Sequence, residues 1–177
     1  QATVTIEASA QYTESIDGAN ASPNSATLTA TLHGDVEAGF TVDWTLQDGD
    51  EPNEAISGSD YAFGTGQISF TGADGDTETI TANFINNDVV ERDETFKISL
   101  YQINTGGRNI VFDADDSDGA TVTLASDISS IITIQNDDFA EINISPITAA
   151  KETATNKNFV VTLSKEVDIP ISVDYSF

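Results

Sequence analysis

The segment from Phe84 to Phe96 constrains the fold more than any other, because it is an acidic loop held between two alternating segments. Apolar residues occupy every second position on both sides of it: Ile80, Ala82 and Phe84 before the loop, then Phe96, Ile98 and Leu100 after it. Alternation with a period of two is typical of β-strands that bury one face. The order strand, acidic loop, strand is therefore predicted.

The loop concentrates negative charge. Asp88, Glu91, Asp93 and Glu94 fall within seven residues, and only Arg92 offsets them. Holding these carboxylates together costs electrostatic repulsion unless a cation neutralises them. Carboxylate oxygens are ligands that suit Ca²⁺, so the loop is predicted to be the centre of a calcium site. For any single acid, the alternative is a solvated surface side chain that aids solubility.

The overall charge narrows the choice of partners. Among the 177 residues there are 30 acids and six bases, which gives a formal charge of -24. Nucleic acid or an anionic membrane would need a basic patch, and the scattered Lys and Arg do not supply one. The chain has no Cys, so disulfides and thiolate metal sites are excluded. No apolar run approaches 18 residues, so no direct membrane insertion is expected, and the chain reads as a soluble, processed piece.

The remaining pattern predicts an all-β fold. Strand candidates follow one another with Gly- and Asp-rich breaks between them, and no segment shows a sustained helical period. Seven strands, A to G, are predicted at residues 3–8, 26–32, 40–46, 67–70, 78–85, 95–102 and within 121–135. Seven strands of this kind indicate an antiparallel, immunoglobulin-like β-sandwich of two sheets.

Successive antiparallel strands alternate in direction, so every second connection lies at the same end, or pole, of the sandwich. The A–B, C–D and E–F connections and the end of strand G therefore share one pole. Acids distant in sequence are therefore predicted to converge there: Glu14, Asp48, Asp50, Glu51, Glu54, Asp60, the 88–94 loop, Asp137 and Asp138. Ca²⁺ takes six to eight oxygen ligands, and several converging loops can supply them together.

A second acidic cluster, residues 113–119, lies in the F–G connection at the opposite pole. Its spacing does not fit the twelve-residue calcium loop, because Ala125 stands where a bidentate Glu is needed. It is predicted to be a solvated loop.

The chain also repeats itself. Residues 31–44 match residues 162–175 without a gap, and residues 3–8 correspond to 140–145. One complete domain, 1–138, is therefore predicted, followed by strands A to C of a second copy in 139–177. A partial copy leaves apolar faces and open edges exposed. We expect it to pair with another chain, as a homo-oligomer, or to lie along the first unit.

Four segments together resemble a known family: Gly58-Ser59-Asp60-Tyr61, residues 66–70, residues 85–96 and residues 132–138. They resemble the Calx-beta domain, which occurs in sodium/calcium exchangers and in repeats of bacterial surface proteins. The resemblance implies calcium ligands at seven positions: Glu14, Asp60, Asp88, Glu91, Glu94, Asp137 and Asp138. Asn86, Asn87 and Asn136 stand where the most acidic members carry Asp. Fewer ions or weaker binding is expected, with dissociation constants of about 10⁻⁴ to 10⁻³ M.

These observations favour one function and leave others open. The favoured function is a calcium-binding repeat of an extracellular or cell-surface protein, in which the ion stiffens the junction with neighbouring repeats. The resemblance also permits a calcium sensor of a transporter-like protein, and the Asn residues permit a calcium-free adhesive module. An enzyme is not expected, because His33 is the only His, no Ser elbow or Cys accompanies it, and no pair of acids stands out for sugar hydrolysis.

Overall fold

The computed structural model describes residues 1–14, 25–114, 124–145 and 158–176. These residues contain β-strands and no helix, so none of them forms a helix that could span a membrane. The strands are β1 Ala2–Ile6, β2 Ser9–Thr13, β3 Ser25–His33, β4 Phe40–Asp48, β5 Thr65–Phe70, β6 Thr77–Asn83, β7 Glu94–Asn104, β8 Ile110–Asp113, β9 Leu124–Ala125, β10 Ile128–Gln135, β11 Ile142–Ile144 and β12 Val161–Leu163. Most of the acidic cluster at 113–119 lies outside the described residues.

The first ten strands form two five-stranded sheets, with the orders β6-β3-β1-β8-β9 and β2-β10-β7-β4-β5. The predicted immunoglobulin-like sandwich is confirmed, although ten strands stand where seven were predicted. Predicted strand A, residues 3–8, corresponds to β1, which pairs with β3. Strand β2, which follows it and pairs with β10 in the other sheet, and the short strand β8 were not predicted from the sequence. Strands β9 and β10 both fall within the segment predicted for strand G.

Two pairings of the sandwich differ from the predicted antiparallel order. Strand β1 runs parallel to β8, and β2 runs parallel to β10. In each pair the two strands are distant in sequence, so no hairpin turn forces them into opposite directions. The other described pairs of the sandwich are antiparallel.

The core lies between the sheets and follows the predicted alternation. Leu28, Ala30 and Leu32 of β3 are buried, as are alternate residues of β7 on the facing sheet. Burying one such Leu, Ile or Phe side chain stabilises the fold by about 1.5–3 kcal/mol. Phe96, the last residue of the 84–96 segment, stacks on Tyr61 at a centroid distance of 4.4 Å, and Tyr61 forms a β-bridge with Phe84, its first residue. Both ends of the acidic loop therefore meet at Tyr61.

The region after residue 138 forms a small sheet of its own. Strands β11 and β12 are antiparallel, with Ile142 opposite Leu163, as Val4 of β1 is opposite Leu32 of β3. The two registers agree to within one residue with the sequence match between residues 3–8 and 140–145. Residues 171–176, which match predicted strand C of the first unit, form no strand. In the first unit β4 is held between β5 and β7, whereas no described strand pairs with residues 171–176.

Candidate metal centre

Four connections meet at one pole of the sandwich, as the parity of the strands predicted. Glu14 directly follows β2, and its backbone N–H donates to the carbonyl of Gln135 at the end of β10 (3.0 Å). Asp60 lies between β4 and β5, Glu91 precedes β7, and Glu94 is the first residue of β7. Because β2 and β10 are parallel neighbours, their ends bring Glu14 beside the residues that follow Gln135.

Six of the seven predicted ligands fall into two groups. Within each group one carboxylate oxygen per residue lies within 4.8 Å of the others. The Glu14 group consists of Glu14, Asp137 and Asp138, and the Asp60 group consists of Asp60, Glu91 and Glu94. Asp88 belongs to neither group: its side chain is 74% exposed and lies 3.7 Å from the ammonium of Lys165.

Asp60 is held by the turn in which it lies. Its Oδ2 accepts a hydrogen bond from the backbone N–H of Ile56 (2.6 Å), and its carbonyl accepts one from Ile85 (2.9 Å). The next residue, Tyr61, is fully buried and donates its hydroxyl to Oδ1 of Asp48 (2.7 Å). Asp60 therefore caps the turn, and the same turn directs it towards Glu91 and Glu94.

Two asparagines make hydrogen bonds to the backbone of the pole. Asn136 accepts a hydrogen bond from the backbone N–H of Glu91 at its Oδ1 (3.2 Å) and donates its Nδ2 to the carbonyl of Asp138 (2.9 Å). Asn87 accepts from the N–H of Val89 at 2.6 Å. An aspartate could not make the donation from Nδ2. Asn136 therefore ties the 86–91 loop to the segment after β10, and Asn87 orders the loop itself.

Glu14 is the most unusual acid of the pole. It is only 6% exposed, and its buried Oε2 accepts no hydrogen bond from the described residues. Burial, followed by repulsion from Glu91, Asp137 and Asp138, raises the pKa of Glu14 to about 7. A buried carboxylate oxygen without a donor costs free energy, and coordination to a cation would remove that cost.

The glutamates of the Asp60 group are perturbed in the same direction. Burial and the neighbouring Asp60 and Glu91 carboxylates raise the pKa of Glu94 to about 8. Burial and Asp60 also raise the pKa of Glu91, against a hydrogen bond from Asn87 that lowers it. The donor set is rich in carboxylate oxygens and contains no nitrogen or sulfur, which suits Ca²⁺. Calcium would neutralise the charge that otherwise favours protonation of these groups.

The segment after β12 touches this pole. One of the two expectations for residues 139–177 was that they lie along the first unit, but the sequence did not indicate which residues would be in contact. The N–H of Val90 donates to the carbonyl of Glu166 (2.9 Å), and the N–H of Asp168 donates to the carbonyl of Val90 (3.2 Å). Lys165 pairs with Oδ1 of Asp138 at 2.6 Å. The internal repeat places these residues in the turn after the second strand, but only the pairing of Val90 with Val167 brings that turn to the pole.

The fold and the site together define an acidic β-sandwich module with two groups of carboxylates that could hold a metal ion. Residues 19–128 match the Calx-beta domain, and the chain belongs to this family. It is 28% identical over 109 residues to sodium/calcium exchanger 2 of Rattus norvegicus and 29% identical to that of Homo sapiens. The matched region covers 62% of this chain but only 11% of either exchanger.

Solved structures show the same fold. The crystal structure of CBD12 from CALX1.2 aligns with a TM-score of 0.54 and 20% identity, covering 76% of this chain and 46% of that one. The apo form of the Calx CBD1 domain aligns with a TM-score of 0.51 and 18% identity, covering 77% of this chain and 99% of that one. The resemblance inferred from the sequence motifs is confirmed.

Proposed function

We propose that the chain is a calcium-binding repeat whose ion binds at the acidic pole and stiffens the junction between consecutive repeats. The observation that carries this proposal is the convergence of six carboxylates in two groups of three at this pole. Oε2 of Glu14, buried in one of these groups, accepts no hydrogen bond from the described residues. All seven predicted residues, Glu14, Asp60, Asp88, Glu91, Glu94, Asp137 and Asp138, remain candidate ligands. Asp88 is the peripheral one because its side chain is mostly exposed.

The contacts between the pole and the following segment support the stiffening role. Asp137 and Asp138 end the first unit, and Val90 of the acidic loop is hydrogen-bonded to Glu166 and Asp168 of the next segment. An ion that orders the acidic loop would also order this contact. The parent protein is proposed to be an extracellular or cell-surface array, because a millimolar calcium affinity matches calcium levels outside cells.

The first test is a thermal melt in excess EDTA, in millimolar calcium and in millimolar magnesium. Calcium at about 100 times its dissociation constant should stabilise the fold by roughly 2.7 kcal/mol per site. For a domain of this size the melting temperature should rise by about 5–11 °C. Magnesium should shift it little, because Mg²⁺ dehydrates reluctantly and demands near-ideal octahedral geometry. An equal melting temperature in EDTA and calcium would rule the proposal out.

The second test places the ion. The double variant Asp60→Asn, Glu91→Gln removes two charges from the Asp60 group and should abolish most of the calcium-induced rise in melting temperature. The matched control is Glu37→Gln, Asp174→Asn, which removes two exposed acids that belong to neither group. A calcium response that survives in the double variant would show that the ion binds elsewhere.

One observation supports each of two alternative functions. Similarity to sodium/calcium exchanger 2 supports a calcium-sensing module of a transporter-like protein. The hydrogen bonds made by Asn87 and Asn136 support a calcium-free adhesive module, since these amides already order the pole. A calcium-dependent change of overall dimensions in small-angle X-ray scattering would favour the sensor. No catalytic role is proposed for the acids.

The exposed apolar residues after residue 138 support a partner for that segment. Among them are Phe159, Val161, Val173 and Tyr175, the last of which is 82% exposed. We propose that a neighbouring repeat or a second copy of the chain covers them. Light scattering distinguishes the two, because a second copy would give a dimer, whereas a strictly monomeric chain with a protease-sensitive tail would exclude that pairing.

A further inference from the structure

The turn of residues 164–168, here called the junction turn, brings opposite charges to the two carboxylate groups. Backbone hydrogen bonds from Val90 to Glu166 and from Asp168 to Val90 fix the turn against the acidic loop. Lys165 then lies on the Glu14 side of the pole, where it meets Asp138. Asp168, whose N–H donates to the carbonyl of Val90, lies close enough to Glu91 and Glu94 for its carboxylate to repel theirs.

The ammonium group of Lys165 places a positive charge among the carboxylates of the pole. Its Nζ lies 2.6 Å from Oδ1 of Asp138 and 3.7 Å from Oδ1 of Asp88. The side chain of Asp138 is only 7% exposed and that of Lys165 only 26%, so this ion pair is shielded from water and salt. A charge-assisted hydrogen bond of this length is a strong one. The ammonium therefore already neutralises part of the Glu14 group.

The Asp60 group has the opposite electrostatic environment. Asp168 adds negative charge to it, and the carboxylate of Glu14 interacts with Asp60 and Glu91 as well as with its own group. Each added carboxylate strengthens the attraction for a divalent cation. The junction turn thus makes the Asp60 group more attractive to calcium and the Glu14 group less so.

We propose that Lys165 takes the place of a second cation, so that the pole binds one divalent ion, at the Asp60 group. This inference rests on the proposed calcium binding and adds the number of ions and the residue that sets it. Because Lys165 belongs to the segment after β12, the number of ions depends on the docking of that segment. A repeat whose junction turn lacked the lysine would accept a second ion.

The test is a calcium titration by calorimetry of the whole chain, comparing the wild type with Lys165→Met. The wild type should bind one calcium. Lys165→Met should bind a second, because the neutral side chain leaves the charge of Asp138 uncompensated. The affinity for this second ion should be at least about tenfold weaker than that for the first. Lys165→Arg keeps the charge and should bind one. Lys97→Met is the matched control, since Lys97 forms a 2.7 Å pair with Asp50 outside both groups, and it should also bind one.

The outcomes separate the role of Lys165 from calcium binding itself. A wild type that binds two calcium ions, or a Lys165→Met variant that binds one, would overturn the role of Lys165 and leave calcium binding intact. A wild type that binds none would overturn calcium binding itself. Lys165→Gln serves as a second neutral variant in case the methionine disturbs the turn. Circular dichroism of each variant establishes that it is folded.

Discussion

Glu14 directly follows an edge strand, yet its carboxylate is buried at the centre of the acidic pole. In the sequence it is one acid among 30, in a polar stretch typical of a solvated loop. Its position comes from the parallel pairing of β2 with β10, which sets its backbone against Gln135. The chemistry of this residue is therefore set by its neighbours in space, which are Asp137, Asp138 and the Asp60 group.

For Asn136 the type of side chain matters, because its amide both accepts and donates a hydrogen bond at the pole. Asn136→Asp removes the donor to the carbonyl of Asp138 and adds a charge beside both groups. The calcium-free protein should lose about 1–2 kcal/mol of stability. Its affinity for calcium should rise, because the added carboxylate strengthens cation binding. Melting curves in EDTA and in calcium check both effects.

The control for this variant is Asn104→Asp. Asn104 also donates its amide, to Thr41 and Asp43, but it lies at the far end of β7 from the pole. The Asn104→Asp protein should lose stability, and its melting temperature should respond to calcium no more than that of the wild type. An Asn136→Asp protein whose calcium response is unchanged would contradict the position assigned to Asn136.

At the scale of elements, the turn of residues 56–61 carries Asp60 and is anchored by Tyr61. The ring of Tyr61 stacks on Phe96 of β7, and its hydroxyl reaches Asp48 at the end of β4. Burial and the bond to Asp48 raise the pKa of the Tyr61 hydroxyl, and the same bond lowers the pKa of Asp48. The turn is thus tied to two strands of one sheet.

Tyr61→Phe should keep the ring stacking and lose only the hydroxyl contact. We expect a loss of about 1–2 kcal/mol in the free energy of unfolding, together with weaker calcium binding, because Asp60 is less firmly held. Denaturant unfolding and calcium titration measure the two effects. Tyr101→Phe is the control, since Tyr101 is 46% exposed, and it should leave both unchanged. Identical behaviour of the two variants would mean that Tyr61 does not anchor the turn.

At the scale of the whole molecule, the raised pKa values of Glu14 and Glu94 link stability to pH. Both carboxyls have ordinary pKa values of 4.5, and the fold raises them to about 7 and about 8. Between these limits the folded state binds more protons than the unfolded state. The stability of the calcium-free protein therefore falls as pH rises from about 4.5 to about 8.

Calcium should reverse this dependence, because it binds the ionised carboxylates. The calcium-induced rise in melting temperature should grow from pH 5 to pH 8, measured by melts in EDTA and in calcium at each pH. The double variant Glu14→Gln, Glu94→Gln should have a flatter calcium-free profile than the wild type. A wild-type profile that is already flat in EDTA would show that the two glutamates are not perturbed as described.

Local sequence determined the long strands and their buried faces, because the alternation of apolar and polar residues is a property of neighbours along the chain. The inner residues of β3 and β7 follow it directly. The motifs were also sufficient to identify the Calx-beta family. Chain parity indicated which connections share a pole, and the structure brings six of the seven predicted ligands together there.

Only the tertiary structure decided how strands and side chains distant in sequence meet. The chain passes from one sheet to the other between β1 and β2. The parallel pairs that these strands form, β1 with β8 and β2 with β10, join residues more than 100 positions apart. The division of the acids into two groups, the exposure of Asp88 and the arrival of Lys165 at Asp138 follow from the same contacts. No pattern along the chain encodes such distances, because they result from packing the whole sandwich and the junction turn together.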